Sequence, residues 1–510
     1  MLHSRRDFLR TFGAAGTCLS RPSTLFQSEM QRQSLAADPL RPQFHLLPTK
    51  NWMNDPNGPI YWKGHYHMFF QYNPNGARWG DMHWAHAVSP DMVHWMHLPV
   101  ALAPTPGWDD ADGCFTGSAV NDRGTATVIY TGVKTVATER ATLRDGTHNF
   151  REVQCLATSS DPELRRWKKW ERPILEPPDD GLLTGFRDPF LWQEGSCWYL
   201  GVGSGQRKHG GRILLYRSLN LRDWEYLHPL ASGDWTGRDS VNPVDSGEMW
   251  ECPDFFPLDE KHVLLYSTAG QVLWETGELD PKELVFHPQR RGVLDYGAYY
   301  AQKTQLDAKG NRILWGWIPE TRPEGEFDCA GWAGCMALPR VLSLDADGDV
   351  EMRFAAEIQS LRAKLFVIRP REGKGSLDPF GPAIQNIRID KLAGEFRLIT
   401  KSARLTFTLQ DRDGAWLSLL LEPKDASTAK LSVNGKTVDL PIGSQQEFRF
   451  HVLLDASVAE FLCNDKHAFT ARIYRKPNGP LKIAGDSDLA HLDRLEAWQM
   501  GPISSDRLTS

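Results

Sequence analysis

The sequence predicts an all-β protein: a five-bladed β-propeller followed by a C-terminal β-sandwich. Three observations predict it. From Phe44 to about Arg340 the chain runs as short apolar, β-branched and aromatic segments split by turn residues, without long stripes at helical spacing. A faint Ser-x-Asp/Asn…Trp pattern recurs at Ser89, Asp91 and Trp95, at Ser159, Asp161 and Trp167, and at Ser218, Asn220 and Trp224. Its period, roughly 60–70 residues, suits one four-stranded blade with long loops, and roughly 300 residues then hold about five blades. Beyond residue 390, alternating strands are punctuated by Gly and Asp-Gly turns about every ten residues, as in an antiparallel sandwich. A pair of β-sandwiches is the alternative arrangement for the first region.

Taken in order, residues 1–36 read as a Tat-type export signal. Ser4-Arg5-Arg6-Asp7-Phe8-Leu9-Arg10 precedes a weakly apolar run, Thr11 to Leu19, which then meets Arg21-Pro22. Ser34-Leu35-Ala36 is a small-x-small cleavage site, and the signal implies a bacterial periplasmic or secreted location. No stretch approaches the roughly 18 apolar residues of a membrane span. The net charge of −6 shows no basic excess, which excludes nucleic acid as a partner class. The 8 Cys are scattered without CxxC or Cys/His ligand spacing, so neither a metal site nor a disulfide framework is indicated, and nothing implies a cofactor.

Residues 37–345 form the propeller region, with strand-like runs such as His65–Phe70, Ala126–Tyr130, Ser196–Leu200 and Lys261–Tyr266. Near its start, Asn54-Asp55-Pro56-Asn57-Gly58 is dense in turn formers. Pro56 fixes φ, pushes Asp55 toward an extended shape, and is followed by two residues that accept positive φ. A rigid turn between Trp52-Met53 and Ile60-Tyr61-Trp62 is therefore expected to hold the Asp55 carboxylate at a set angle. Residues 346–365 are expected as a linker, with Phe354–Leu365 a short helix or irregular. Residues 366–505 form the sandwich, with strands at Phe396–Thr400, Leu405–Leu409, Trp416–Leu421 and Lys430–Val433, then His451–Leu454, Val458–Leu462 and Phe469–Tyr474. Asn434-Gly435 supplies a hairpin turn. No cluster of polar residues marks chemistry there, so its role reads as structural support.

Three carboxylates sit in special local frames: Asp55 above, Asp188 in Phe186-Arg187-Asp188-Pro189-Phe190, and Glu251 in Trp250-Glu251-Cys252-Pro253. Each is followed by Pro, directly or after one residue, and each lies beside aromatic residues that can wall a sugar site. Glu251, wedged between Trp250 and Cys252, is expected to have its charged form disfavoured, as a general acid requires. Asp55, in a loop rich in backbone N–H groups, is expected to stay ionised as a nucleophile does. Two carboxyls driven apart in this way are the equipment for splitting a glycosidic bond.

Trp52–Gly58, Arg187-Asp188-Pro189 and Glu251-Cys252-Pro253, in this order and at these separations, closely resemble the β-fructosidases of glycoside hydrolase family 32. Further segments share the likeness: Gln71-Tyr72-Asn73-Pro74, Trp79-Gly80, Trp84–Ser89, Phe115–Ala119, Asp295-Tyr296-Gly297 with Tyr299-Tyr300-Ala301, Gly331–Gly334, Leu338-Pro339-Arg340, and, later, Leu454–Glu460 and Thr470–Tyr474. Ala85 departs from the usual Gly and Thr116 from the common Ser. The resemblance implies a five-bladed propeller with an axial funnel, plus a sandwich. It implies Asp55 as nucleophile, Glu251 as acid/base and Asp188 as transition-state stabiliser, with Asn54, Gln71, Trp79, Phe115, Ser118, Arg187 and Asp295 binding a fructosyl unit. Levan, inulin and sucrose are the implied substrates. The leading expectation is hydrolysis of terminal β-D-fructofuranosyl residues; a fructosyltransferase using the same carboxylates, or a catalytically silent fructan-binding protein, are the alternatives. The funnel rim is expected from loops 103–113, 135–150 and 203–211.

Overall fold

The computed structural model describes residues 24–368, 387–389, 392–442, 447–484, 492–505 and 507–508. The twin-Arg motif Ser4–Arg10 and the run Thr11 to Leu19 lie outside the described residues. Nearly all the regular secondary structure among the described residues is β-strand, as the alternation of apolar and turn residues predicts.

Five sheets of four or five strands follow one another up to residue 354, each built mainly of antiparallel neighbours in chain order. Their first strands are Asn51–Trp62, Gly113–Asp122, Leu183–Glu194, Glu251–Leu258 and Tyr300–Leu306. These five strands neighbour one another in sequence, and Tyr300–Leu306 packs back against Asn51–Trp62, so they form a closed ring. A short strand late in the region, Trp332-Ala333, pairs parallel with Asn51-Trp52 and joins the end of the circuit to its beginning. Gly334, at φ +74, permits this: a Cβ there would lie 2.1 Å from the carbonyl oxygen of Met53.

The faint Trp repeat is a structural repeat. In each copy a leucine or methionine at positive φ (Met92, Leu164, Leu221) lets the Trp three residues later return its indole N–H to that residue's carbonyl. Trp95, Trp167 and Trp224 thus close the link between the third and fourth positions of the first three sheets.

The remaining described chain forms two six-stranded antiparallel sheets. Apolar residues of the two, among them Phe396, Phe407, Leu419, Phe450 and Phe461, meet in one buried cluster. A second cluster crosses between the regions, joining Trp315, Met336 and Leu342 to Leu453, Val458, Leu462 and Trp498. Every predicted strand of this region is present, usually lengthened by one to four residues, and the last is shifted to His467–Arg472. Asn434 and Gly435 have the positive φ (44° and 85°) of the expected hairpin turn.

Two boundaries differ from expectation. Residues 346–365 are not a linker: Val350–Phe354 completes the fifth sheet, Ala356–Leu361 is a 3-10 helix, and Arg362–Ile368 already belongs to the next sheet. Val350, Met352 and Phe354 alternate inward, which pins that strand to the core. Ser34-Leu35-Ala36 lies in a helix, Thr24–Ala37, and Leu35 is only 5% exposed, while Arg507 donates to the Ala36 carbonyl. A boundary at residue 36 therefore falls inside packed structure.

Candidate active site

Asn54 to Gly58 does not form the expected rigid turn. Asn51–Trp62 is one strand whose register slips twice, between Met53 and Pro56 and between Asn57 and Ile60; the chain reverses only at Lys63-Gly64. Proline cannot donate to a ladder and is tolerated at bulges, which turns the same residues to a different use. The device is repeated around the ring. Register shifts occur between Cys114 and Gly117, Arg187 and Phe190, Glu251 and Asp254, and Tyr300 and Lys303. Asp188, Cys252 and Ala301 take φ of 62°, 49° and 54°, values that residues with a Cβ rarely adopt. Bulges on the first strands of all five sheets thus aim side chains toward one axial pit of about 280 Å³.

Asp55, Asp188 and Glu251 all line that pit. Asp55 accepts hydrogen bonds from Asn54 Nδ2 (3.0 Å), Thr116 Oγ1 (2.6 Å) and the Cys252 thiol (3.3 Å). Asp188 Oδ2 accepts from the Cys252 backbone N–H at 2.9 Å and from its thiol at 3.5 Å. Arg187 forks onto Glu251 Oε1 through Nε (3.1 Å) and Nη2 (2.8 Å), and donates through Nη1 to Glu152 (2.8 Å). The hydroxyl of Tyr300 donates to Glu251 Oε2 at 2.8 Å. Burial raises the Asp55 carboxyl above its ordinary range against the pull of the Thr116 and Asn54 bonds. Burial also pushes Asp188 up to about 7, despite the neighbouring Arg187 guanidinium. Burial opposes the charge on Arg187, but Glu152, Glu251 and Asp188 outweigh it and keep the guanidinium protonated.

An acidic trio in a pit, flanked by an arginine fork and aromatic walls, is the geometry in which glycosidic bonds are cut. Residues 45–353 match the family model described as the glycosyl hydrolases family 32 N-terminal domain. The chain belongs to glycosyl hydrolase family 32. It is 34% identical to the Escherichia coli sucrose-6-phosphate hydrolase over 90% of this chain and 95% of that protein. It is likewise 34% identical to the Escherichia coli raffinose invertase, over 85% and 89% of the two chains. Among solved structures, the Bombyx mori GH32 beta-fructofuranosidase is similar at TM-score 0.75 and 29% identity, covering 94% of this chain and 97% of that one. The protein is a glycosidase that hydrolyses O-glycosyl bonds.

In this family 32 glycosidase, Asn54, Gln71, Trp79, Phe115 and Arg187 line the pit with the trio. Trp79 is 39% exposed and meets Phe115 edge-on at 5.8 Å, so the two form a wall facing the cavity. Ser118 and Asp295 are not there. Ser118 donates to the Pro189 carbonyl at 2.8 Å and faces a separate cavity. Asp295 is 2% exposed and is held by Arg340 (3.0 Å) and by the Thr470 hydroxyl (2.7 Å). It is a fastener between the fifth sheet and the C-terminal sheets. The Asp-Tyr-Gly motif gave no sign of this, because its partner lies 175 residues away.

The expected surroundings of the two carboxyls are also corrected. Glu251 is not wedged in an apolar slot, since Trp250 stacks on Tyr266 at 3.9 Å while the carboxyl meets Arg187 and Tyr300. Asp55 is buried, with side chains and not loop N–H groups as its donors. Sequence reasoning missed Glu152, Tyr300 and the pit-side roles of Thr116 and Cys252. It also missed Asn242-Pro243-Val244 on the rim, where an Asn-Pro turn signal was available. Of the expected rim loops only 135–150 contributes, through Leu143, Arg144, Asp145 and His148; loops 103–113 and 203–211 do not line the pit.

Proposed function

We propose that this glycosidase is an exported, retaining enzyme that releases terminal β-D-fructofuranosyl residues from sucrose and from levan- or inulin-type fructans. The observation that carries the reading is the convergence of Asp55, Asp188 and Glu251 on one small pit, in a chain resembling proteins named for sucrose, raffinose and β-fructofuranoside cleavage. The ring of five sheets supports a five-bladed propeller, and the two facing six-stranded sheets support a β-sandwich. Export rests on the twin-Arg sequence and on nothing in the fold.

Asp55, oriented by Asn54 and Thr116, attacks the anomeric C2 of the fructosyl unit while protonated Glu251 donates to the leaving oxygen. The oxocarbenium-like transition state lies against Asp188, whose carboxylate stabilises the developing charge and takes sugar hydroxyls. Glu251 then deprotonates a water, which releases fructose and regenerates the Asp55 carboxylate. Arg187 holds Glu251 in place through two bonds, and the Tyr300 hydroxyl fixes its other oxygen. Trp79 and Phe115 offer apolar faces to the sugar ring.

Purified protein incubated with sucrose, inulin and levan, with products resolved by chromatography, tests the proposal. Free fructose is the expected product. Longer oligosaccharides would instead show a fructosyltransferase, and binding without products a silent fructan-binding protein.

A further inference from the structure

Lys303 lies on the first strand of the fifth sheet and is 2% exposed. Its ammonium donates to the carbonyl oxygens of Pro253 (2.9 Å), Pro189 (3.4 Å) and Asp188 (3.5 Å), and to no carboxylate among the described residues. Those carbonyls belong to the bulges that carry Asp188 and Glu251. We infer that Lys303 is a positioning residue for the glycosidase reaction: a buried cation beneath the pit floor that ties two motif strands together and balances the charge of the carboxyls above it.

Two independent features support this. The first is geometric. Register slips between Tyr300 and Lys303, so the bulge turns neighbouring side chains toward the same strand. Tyr300 reaches Glu251 (2.8 Å), Gln302 donates to the Cys252 carbonyl (2.8 Å), and Lys303 takes the Pro253 carbonyl. Three successive residues of Glu251-Cys252-Pro253 are therefore held by three side chains from one four-residue stretch. The second is electrostatic. Lining the pit are Asp55 from the first sheet, Arg187 and Asp188 from the third, Glu251 and Cys252 from the fourth, and Tyr300 from the fifth; Glu152 of the second sheet pairs with Arg187, and Asp254 of the fourth, which accepts the Thr304 backbone N–H, lines a separate cavity together with Lys303. Arg187 alone cannot neutralise that many carboxyls. A lysine that served packing only would bear the desolvation penalty of a buried charge for nothing a Met could not supply. Its field reaches the site: burial and the charges of Asp188 and Asp55 push the Cys252 thiol well up, and the Lys303 charge pulls the other way.

The experiment compares kcat/KM against pH for wild type, Lys303→Met and Lys303→Gln on sucrose, alongside thermal unfolding of each across the same pH range. Lys303→Gln removes the charge but keeps two N–H donors for the carbonyls, on a side chain one atom shorter, whereas Lys303→Met removes charge and donors together. Both variants should show the acid limb of the activity profile moved up by about one pH unit, the size expected for a unit charge removed at an effective dielectric near 20. Activity should fall by about tenfold below that limb and much less above it. The pH at which stability declines as Asp188 ionises should rise by a similar amount, a readout that needs no substrate. An unmoved limb and an unmoved stability profile in Lys303→Gln would overturn the inference, and so would failure of both variants to fold, which would make Lys303 a strut alone. The inference rests on the fructoside-cleaving reading only for its first readout. An inactive wild type sinks that reading and leaves the stability profile to decide this one.

Discussion

Asp55 and Glu251 sit 196 positions apart in the chain yet share a pit, and their surroundings assign them different tasks. Asp55 is locked by a side chain on each oxygen, while Glu251 is 22% exposed and bridged by Arg187 and Tyr300. Asp55→Asn or Glu251→Gln should each lower kcat by roughly 10³-fold or more with little change in melting temperature; near wild-type turnover in either would refute its role. Asp188 gives a prediction about pH. Its carboxyl titrates at about 7 in the folded protein against an ordinary 3.8, so folding favours its protonated form. The stability it contributes is complete below about pH 3.8 and is lost as pH rises through about 7. Asp188→Asn should therefore be inactive but more stable than wild type at pH 8, by on the order of 2–4 kcal/mol, with the gap closing toward pH 4. Denaturant unfolding at the two pH values checks this, and equal stability at pH 8 would show that the carboxyl is not strained by burial.

The bulged first strand is the element that makes the site. A regular strand would send alternate side chains to opposite faces, whereas a bulge adds a residue and re-aims the next one toward the axis. Proline at Pro56, Pro189 and Pro253 marks these places because the ladder has no use for its missing N–H there. Outside the pit, elements are fastened by buried ions. Arg340, on the fifth sheet, meets Asp295 at 3.0 Å and Glu460 at 2.6 Å, with all three side chains fully buried. Asp295→Asn leaves Arg340 with one fewer countercharge and should destabilise the fold by about 3–5 kcal/mol while KM stays near wild type. A large rise in KM with unchanged stability would return Asp295 to the sugar site.

Across the whole molecule, the chain before the first sheet is clamped to the C-terminal sheets. The backbone N–H groups of Gln43, Phe44 and His45 all donate to Asp455, and the His45 ring bridges Asp455 (2.8 Å) and Glu460 (2.9 Å). Burial alone would lower the His45 pKa, but the two carboxylates raise it to about 9 from 6.5. That stabilisation is fully present below pH 6.5 and is lost as pH rises through about 9, a change on the order of 3 kcal/mol. With an apolar cluster also crossing the junction, calorimetry should show one endotherm that moves down over this range, and His45→Gln should unfold earlier and flatten the dependence. Two separate endotherms would show that the regions fold independently. The sequence by itself determined the all-β class, most strands of the C-terminal sheets, the family and the three carboxylates, because period-2 patterning, turn chemistry and dense motifs are local properties. Only the tertiary structure decided that Asn54–Gly58 is a bulge and not a turn, that Asp295 and Ser118 stay out of the pit, and that Glu152, Tyr300 and Lys303 serve it. Such roles depend on which residue from a distant strand arrives opposite, and no local pattern encodes that meeting.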